Sequence, residues 1–528
     1  MDNPSVPLYL GLDSSTQSLT ATVIEVDGSQ RAVVAEDVVV FDRALPEFAT
    51  THGVHTSPDG CTVTAPPAMW AAALDVMAGR LRDNGVDPAR IRAISGSAQQ
   101  HGSVYLSEAA AGILAGLDPA RGLAPQIEGL FARPESPVWL DCSTTAACGE
   151  LTAALGGPAE LARLTGSRAY ERFTAAQIRK FAVADPQRYA RTARIHLVSS
   201  FMATLLTGAD APIDPGDGSG MNLMDIRRGE WSARAVAATA PELARRLPPI
   251  RDSWSVAGRL SQYWQRRFGF GAAKVITWSG DNPCALVGLG LIEPGQLGVS
   301  LGTSDTVFAA TASPEPDPSG SGHVFGSPAG GYMALTCFAN GSLARERVRD
   351  SYGLDWRGFS RALTETEPGN GGALMIPWFV PEITPTVDVR GPIRVGLDAA
   401  DAARNVRAVV EGQAMAMRLH SQWIAPAPTR IRATGGAAAN QEILQVLADV
   451  FDAEVVRIAP PNAASLGAAL RAFHADRLSD GAPPPWSDVI AGFTDAGPGA
   501  KPRPDAAAVY GPRLEHYART LESLIPDR

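Results

Sequence analysis

Short apolar runs along the chain end repeatedly in turns of small polar residues. The apolar strand Val275–Thr277 leads into Gly280-Asp281-Asn282, a helix-like segment follows, and a second strand ends at Gly302-Thr303. This pattern places an acid and a small-residue turn at two neighbouring strand ends. Such a pair suits phosphoryl transfer to an alcohol, because the acid can deprotonate the hydroxyl while backbone N–H groups and hydroxyls hold the phosphate. We therefore predict that Asp281 is a general base.

A similar pattern occurs near the beginning of the chain. The segment Tyr9–Gly28 reads as strand, polar turn and strand, with Asp13 and several hydroxyls at the tip. Taken alone, it favours an ordinary turn rich in Ser and Thr. The segment Leu297–Ala310 repeats the same order, with Thr303 in the place of Thr16. This recurrence favours a duplicated architecture in which both tips face one cleft.

Two polar segments of the first half are candidates for recognising a small hydroxylated molecule. Residues 93–105 form a strand, a polar loop containing His101, and another strand. Uncharged Gln and His side chains at a strand end suit sugar hydroxyls, and the alternative is a loop histidine satisfied within the protein. Residues 164–174 are dense in polar and aromatic side chains. An arginine there, such as Arg172, can bind hydroxyls or phosphate, or it forms only a surface ion pair with Glu171.

A glycine pair in the second half lies between a predicted strand and a predicted helix. Ile431–Thr434 is the strand, Gly435-Gly436 the turn, and Asn440 a suitable cap for the helix Glu442–Phe451. Backbone without side chains lets a planar ring or a ribose lie close to it. Such turns also occur in α/β proteins that bind no nucleotide, so both interpretations stay open at this point.

Other segments bear on function less directly. We interpret the glycine-rich residues 214–223 as a turn or lid, because the strand-before, helix-after context of a dinucleotide fingerprint is missing. Residues 311–331 are predicted to be loop and residues 476–500 irregular. Periodicity predicts a long helix over 404–424, and the small residues 464–469 predict a helix that packs closely. A standard P-loop is excluded, since no Gly-x-x-x-x-Gly-Lys-Ser/Thr motif occurs.

Length and composition limit the possible domain organisation and the possible binding partners. At 528 residues the chain exceeds what one hydrophobic core usually supports, which predicts two large domains with a cleft between them. The run from about Arg245 to Phe270 would close the first domain, and Val275 would open the second. A net charge of -9 argues against a nucleic-acid or anionic-membrane surface. Five scattered cysteines indicate neither a disulfide framework nor a zinc site. Without a leader pattern or a long apolar run, we expect a cytoplasmic protein.

The motifs together are similar to those of a known family. They run across nearly the whole chain as YLGLDSSTQ, SGSAQQHGSVY, SPVWLDCSTTA, LTGSRAYERFT, DGSGMNL, TWSGDNP, VSLGTSDT, CFANGSL, EITP, ATGGAAANQEILQVLADVFDAEV and SLGAALRAFH. On these motifs the sequence resembles the FGGY carbohydrate kinase family, within the actin and hexokinase superfold. Several motifs are common to sugar kinases, whereas LTGSRAYERFT, SGSAQQHG and ILQVLADVFDAEV together are much more specific and point to the members that phosphorylate D-xylulose.

The resemblance implies an architecture and a reaction. The fold would be α/β, with two ribonuclease-H-like domains at residues 1–270 and 271–528 and the active site in the cleft between them. The reaction would be ATP-dependent phosphorylation of D-xylulose to D-xylulose 5-phosphate, with ATP and Mg²⁺ as cofactors. The implied partner is a small ketose, with neither nucleic acid nor membrane, and the implied assembly is a monomer or a homodimer.

The resemblance also assigns site residues, motif by motif. Asp281 would be the catalytic base, and the ketose would be bound by His101, Arg172, Asp281 and Asn282. Asp13, on the first phosphate loop, would hold Mg²⁺ directly or through water. The nucleotide would contact Thr16, Thr303, Trp356, Gly435, Gly436 and Asn440. For Trp356 the alternative is a residue that only fills core.

Three other functions stay open. A kinase for another small sugar or polyol, such as ribulose, gluconate or glycerol, would keep every phosphate and adenosine motif. An actin-like filament or chaperone ATPase would have no reason to combine an Asp-Asn pair with polar sugar loops. A sugar-sensing pseudokinase is disfavoured because Asp13, Asp281, Thr303 and the glycine pair are all present.

Overall fold

A computed structural model describes residues 6–28, 30–458 and 462–525. Within these ranges the chain forms two large mixed sheets, each of seven strands. The first sheet contains, from edge to edge, Val256–Arg259, Lys274–Ile276, Ile91–Ala98, Leu8–Ser14, Ser18–Asp27 and Gln30–Val40, with Ser279–Gly280 also paired to Ile91–Ala98. The second contains His323–Gly326, Tyr332–Phe338, Asp305–Thr311, Gln296–Leu301, Arg430–Thr434, Glu454–Arg457 and Gly499–Ala500.

The two sheets share one arrangement of strands. Leu8–Ser14 pairs antiparallel with the strand that follows it and parallel with Ile91–Ala98. Gln296–Leu301 likewise pairs antiparallel with its successor and parallel with Arg430–Thr434. All seven residues of Leu8–Ser14 are buried, as expected for a central strand covered on both faces. The predicted duplication of a hairpin in each half is confirmed.

Helices and small sheets cover these sheets. The helices are Phe41–Ala44, Pro67–Asp83, Ala110–Ala115, Thr145–Ala154, Pro158–Thr165, Thr174–Ala184, Pro186–Ala190, Val198–Thr207, Pro215–Gly218, Ala233–Thr239, Gln262–Phe268, Asp281–Gly288, Ser342–Ser351, Trp356–Glu365, Ala402–His420, Gln441–Phe451, Ala463–Ser479, Trp486–Ile490 and Ala506–Leu524. The small sheets contain Thr192–Leu197, Ser103–Ser107 and Phe131–Arg133; Met224–Asp225 and Glu230–Trp231; Leu374–Ile376 and Ile393–Val395; His55–Thr56, Val63–Ala65 and Ser136–Pro137. None of the helices in the described ranges is long and apolar enough to cross a membrane.

One helix of the second half, Ala463–Ser479, lies against the first sheet. It shares a buried apolar cluster with Tyr9 and Ile276 of that sheet. It also crosses the helix Asp281–Gly288 at a close contact, where a Cβ at Gly467 would overlap the Cys284 carbonyl oxygen. The prediction that small residues here allow close packing is confirmed.

The first sheet continues past the predicted domain boundary at residue 270. Lys274–Ile276 pairs parallel with Ile91–Ala98, and so does Ser279–Gly280. The strand at Val275, which was predicted to open the second domain, therefore lies in the first sheet, where its apolar side chains are fully buried. Strand pairing in the second sheet begins at Gln296. The division into domains at 270 and 271 stays a prediction.

Three segments differ from their predicted structure. Residues 215–221 form two short helical turns in which every residue after Pro215 is buried, so the prediction of a lid is wrong. The predicted loop 311–331 contains the buried strand His323–Gly326. The predicted irregular region 476–500 contains the end of one helix and all of Trp486–Ile490. In each case tertiary burial orders a stretch whose Gly and Pro content predicts irregular structure. The long helix predicted over 404–424 is confirmed as Ala402–His420.

Candidate active site

Asp281 is the first residue of the helix Asp281–Gly288 and directly follows the strand Ser279–Gly280. Its Oδ1 accepts hydrogen bonds from the backbone N–H of Asn282 at 2.8 Å and from the Asn282 side-chain amide at 3.1 Å. Asp281 as a residue is half-buried. Burial, and then the charge of Asp13, raises the pKa of Asp281 to about 7. An accessible carboxyl with a pKa near neutrality is suited to accept a proton.

The loop before residue 103 packs against the same strand end. Asn282 Nδ2 donates to Gln100 Oε1 at 3.1 Å. A Cβ at Gly280 would lie 2.5 Å from Gln100 Cγ, so the glycine lets the Gln100 side chain rest on the backbone beside Asp281. The structure therefore brings together the SGSAQQHG and SGDNP motifs, as expected for two strand ends in one sheet.

Asp13 is buried near the end of the strand Leu8–Ser14. Its two oxygens accept hydrogen bonds from the Ser97 and Ser15 hydroxyls, each at 2.5 Å. Burial raises the pKa of Asp13, and the two hydroxyls only partly oppose it. Within the described ranges, no Lys or Arg side chain forms an ion pair with Asp13. A carboxylate that is near Asp281 but lacks a protein cation fits a divalent cation as its counter-ion.

The side chains available as metal ligands determine which cation fits this site. No group of three or more His, Cys, Asp or Glu side chains that could hold a metal ion occurs in the described part of the chain. Mg²⁺ commonly uses one or two carboxylates together with water and substrate phosphates. Asp13 together with the phosphates of a bound nucleotide would meet that requirement.

His101 has a backbone φ of 72°, an uncommon value for a residue with a side chain. Its buried ring stacks on Phe173 with centroids 4.3 Å apart, and its Nδ1 lies 2.8 Å from the Gly220 carbonyl oxygen. Burial, and then the charge of Arg172, lowers the pKa of His101 to about 3. Because a carbonyl only accepts, the neutral ring carries its proton on Nδ1 and keeps Nε2 as an acceptor. The sugar-binding role of His101 and the alternative of a loop histidine satisfied within the protein both stay predictions.

Arg172 lies on the segment after the helix Pro158–Thr165. Its Nη2 is 3.1 Å from His323 Nε2, and its guanidinium lies 5.0 Å from the centre of the Tyr170 ring. The predicted alternative of an ion pair with Glu171 does not occur, and no acid pairs with Arg172 within the described ranges. Sequence reasoning missed His323, although the apolar pair after it is typical of a short buried strand.

The glycine-rich turn at residues 215–221 contributes a buried acid. Asp217 Oδ2 accepts a hydrogen bond from the Ser199 hydroxyl at 2.5 Å, and Oδ1 has no partner among the described residues. Burial raises the pKa of Asp217 well above its usual range, and the charges of Asp214 and Asp281 add to that rise. Sequence analysis assigned no acid here. The signal that could have found it was the motif DGSGMNL, which begins at Asp217.

The two hairpin tips hold the candidate phosphate-binding residues. At the first tip the half-buried Thr16 accepts a hydrogen bond from Trp139 Nε1 at 2.8 Å. At the second tip Thr303 is exposed, and a Cβ at Gly341 would lie 2.6 Å from its carbonyl oxygen. Backbone packed this closely fixes the second tip while its hydroxyl stays accessible.

Three of the candidate nucleotide residues line an open cleft of about 650 Å³. Trp356, Gly436 and Asn440 are part of its wall. Trp356 is 42% exposed, so the alternative in which it only fills core is wrong. Asn440 caps the helix Gln441–Phe451 as predicted, by accepting from two backbone N–H groups. Gly435 has φ 89°, and a Cβ there would lie 2.6 Å from the Leu301 carbonyl oxygen.

Known proteins match this arrangement at the level of sequence. The family model for the N-terminal domain of the FGGY family of carbohydrate kinases matches residues 135–288, and that for the C-terminal domain matches residues 297–475. Xylulose kinase of Rattus norvegicus is 43% identical over 528 residues, covering 98% of this chain and 97% of that protein. Xylulose kinase 2 of Arabidopsis thaliana is 42% identical over 494 residues, covering 89% of this chain and 88% of that protein.

Solved structures match at the level of fold. Gluconate kinase from Lactobacillus acidophilus superposes with a TM-score of 0.83 at 18% identity, covering 98% of both chains. Xylulose kinase from Rhodospirillum rubrum superposes with a TM-score of 0.82 at 20% identity, also covering 98% of both chains. The predicted two-domain α/β fold of the actin and hexokinase type is confirmed. Since kinases of different sugars fit equally well, the fold alone does not identify the sugar.

Proposed function

The chain belongs to the FGGY family of carbohydrate kinases, and we propose that it transfers the γ-phosphoryl group of ATP to D-xylulose, forming D-xylulose 5-phosphate. The observation that carries this proposal is the half-buried Asp281, whose pKa is raised to about 7 beside the uncompensated carboxylate of Asp13. The names of relatives more than 40% identical over most of the chain support D-xylulose as the sugar.

Asp281 acts as the general base. It accepts the proton of the terminal hydroxyl while that oxygen attacks the γ-phosphorus and the bond to the β-phosphate oxygen breaks. General-base assistance of this kind is worth about 10²- to 10⁴-fold. The Asn282 hydrogen bonds hold the carboxylate in one orientation, which leaves Oδ2 for the sugar.

Sugar recognition comes from one neutral acceptor and one cation. His101 presents Nε2 to a hydroxyl of the ketose, since its Nδ1 proton is used by Gly220. Arg172 donates to sugar oxygens, and Asn282 contributes its amide. Because the low pKa keeps His101 neutral, its ring accepts a hydrogen bond at every pH at which the enzyme would work.

The phosphates lie between the two hairpin tips, with Thr16 on one side and Thr303 on the other. Asp13 would hold Mg²⁺, which when bound would offset negative charge on the transferring phosphoryl group. The adenosine occupies the cleft lined by Trp356, Gly436 and Asn440. Gly435 supports this site indirectly, because its conformation packs the turn onto the strand Gln296–Leu301. Holding both substrates in a closed cleft also limits ATP hydrolysis by water.

Two further expectations belong to the same proposal. The protein would work in the cytoplasm, where ATP is supplied. It would work as a monomer or a homodimer.

The test is a panel of substrates with a matched variant. ADP release is measured with D-xylulose, ribulose, gluconate and glycerol, for the natural chain and for Asp281→Asn. We expect the highest kcat/KM with D-xylulose, and a loss of about 10²- to 10⁴-fold in kcat for Asp281→Asn with folding retained. Preference for another compound would overturn the choice of sugar. Near-normal turnover of Asp281→Asn would overturn the assignment of the base, and ATP-dependent polymer in sedimentation would support an actin-like ATPase instead.

A further inference from the structure

The strand His323–Gly326 connects the second half of the chain to the candidate sugar loops of the first half. Val324 N donates to the Gly166 carbonyl at 2.9 Å. Gly326 N donates to Ser219 Oγ at 3.1 Å. A Cβ at Gly166 would overlap the Val324 carbonyl oxygen, so the two backbones touch. The side chains of this strand are therefore placed firmly against residues 166–173.

His323 is the first residue of that strand and is 3% exposed. Its Nε2 lies 3.1 Å from Arg172 Nη2, and its Nδ1 lies 3.1 Å from Ser167 Oγ. A guanidinium only donates, so Nε2 must be the unprotonated nitrogen and Nδ1 carries the proton. Ser167 then accepts from Nδ1. Burial and the neighbouring Arg172 charge hold the pKa of His323 well below its usual range, which keeps this tautomer neutral.

A neutral hydrogen-bond acceptor orients Arg172 without neutralising its charge, whereas a carboxylate would neutralise it. An acid would pair with the guanidinium through two bonds and offset its charge. The imidazole lone pair takes one N–H and leaves the charge and the other donors free for a ligand. The rings of Tyr170 and Phe173, at 5.0 and 5.8 Å from the guanidinium carbon, limit its remaining freedom.

We propose that His323 is a positioning residue for the ketose, which aims the Arg172 guanidinium at the sugar through a hydrogen bond from the other half of the chain. This inference rests on the proposed role of Arg172 in sugar binding. It adds to the sugar subsite a group from the second sheet, because the strand His323–Gly326 that carries it belongs to that sheet.

His323 also packs among aromatic rings, so the test must separate packing from hydrogen bonding. Its ring stacks on Phe325 with centroids 5.7 Å apart and meets the edge of Tyr170 at 4.9 Å. His323→Phe keeps an aromatic ring and removes the acceptor. His323→Gln loses the ring and keeps an acceptor. His420→Phe is the matched control, because His420 lies in the same half against Phe338, at 6.3 Å between ring centres.

The experiment measures kcat, KM for D-xylulose, KM for ATP and the melting temperature of each variant, with Arg172→Ala in parallel. We expect His323→Phe to raise KM for D-xylulose about tenfold, as for a lost hydrogen bond to a charged group. Both kcat and KM for ATP should stay within about twofold, since neither the base nor the nucleotide cleft is touched. His323→Gln should recover most of the affinity, and His420→Phe should leave KM unchanged.

The outcomes distinguish this inference from the proposed function. If Arg172→Ala raises KM and His323→Phe does not, the inference is overturned and the proposed function stands. If Arg172→Ala leaves KM unchanged, the sugar-binding role of Arg172 is overturned and the inference with it. Should His323→Phe fail to fold, Ser167→Ala decides: the inference requires a raised KM for D-xylulose, because the Nδ1 proton loses its acceptor, and an unchanged KM overturns it.

Discussion

The two hairpin tips are built alike, yet each places a buried aspartate in a different electrostatic setting. Asp13 at the first tip is bound only by the hydroxyls of Ser15 and Ser97. Asp305, at the start of the second strand of the other hairpin, forms two hydrogen bonds with Arg345, at 2.7 and 3.0 Å. Both side chains of that ion pair are 1% exposed.

In the proposed function, this contrast divides the two aspartates between a metal-binding role for Asp13 and a structural role for Asp305. Burial raises the pKa of both aspartates, but only at Asp305 does a cation of the protein oppose the rise. Arg345 ties the second tip to the helix Ser342–Ser351 and so fixes the turn that carries Thr303. Asp13 is left as an uncompensated charge beside Asp281, where Mg²⁺ and phosphate would arrive. The following predictions test whether the two acids are divided in this way.

Asp13→Asn should abolish most activity without loss of stability. The variant would lose the carboxylate that would hold Mg²⁺, and losing one group that stabilises the charge of the transition state costs about 10²- to 10³-fold in kcat. Because the folded pKa of Asp13 is raised, ionising it costs folding free energy as pH rises, so the variant should melt at or above the natural temperature at pH 8. ADP release and thermal melting measure both effects. A large drop in melting temperature would mean that Asp13 is structural, like Asp305.

Asp305→Asn should lower the stability of the protein and leave most of its activity. It leaves the Arg345 guanidinium buried without its anion, which costs about 3 kcal/mol of unfolding free energy. Denaturant unfolding measures that loss, and replacing Arg345 by Met in the same chain should restore most of it. Below its melting temperature the single variant should keep kcat within about threefold, because Asp305 does not face the reacting groups. A stable but inactive Asp305→Asn would show that the second acid takes part in the chemistry.

The pH dependence of activity is the prediction with the smallest expected effect, and it tests the pKa of Asp281 most directly. Asp281 must be ionised to accept a proton, so kcat/KM should fall tenfold per unit below a midpoint near its pKa of about 7. Since the Asp13 charge contributes to that raised pKa, residual activity in Asp13→Asn should show a lower midpoint, whereas Asp305→Asn should not move it. A flat profile between about pH 5.5 and 8 would contradict Asp281 as a base with this pKa.

The candidate site residues that the sequence predicts most directly are those at the ends of strands. Asp281, Asp13 and the glycine pair each lie at the end of an apolar run, and the spacing of apolar residues in the sequence predicts such runs directly. Matching polar tips then indicated the duplicated hairpins, which the strand pairing confirms. The exposure of Trp356 and the neutral tautomer of His101 needed coordinates, because each depends on residues distant in the chain.

The errors have a common physical origin. The strand at His323 and the turns at Pro215 are short and rich in neighbouring glycine, so local propensity predicts loop. Both are ordered by burial against the other half of the chain, as the Gly326 to Ser219 hydrogen bond shows. The strand at Val275 pairs with the strand Ile91–Ala98, which lies almost two hundred residues earlier in the chain. Local pattern cannot report pairing over such distances.

The position of the helix Ala463–Ser479 affects how the protein folds during its synthesis on the ribosome. It covers Tyr9, Ile24 and Ala93 of the first sheet, although those strands are made hundreds of residues earlier. At about 5 to 20 residues per second, tens of seconds pass between the synthesis of that sheet and the arrival of its cover. During that interval the first half carries an unprotected apolar face. We therefore expect the nascent chain to need a chaperone, and a fragment ending near residue 290 to aggregate rather than fold.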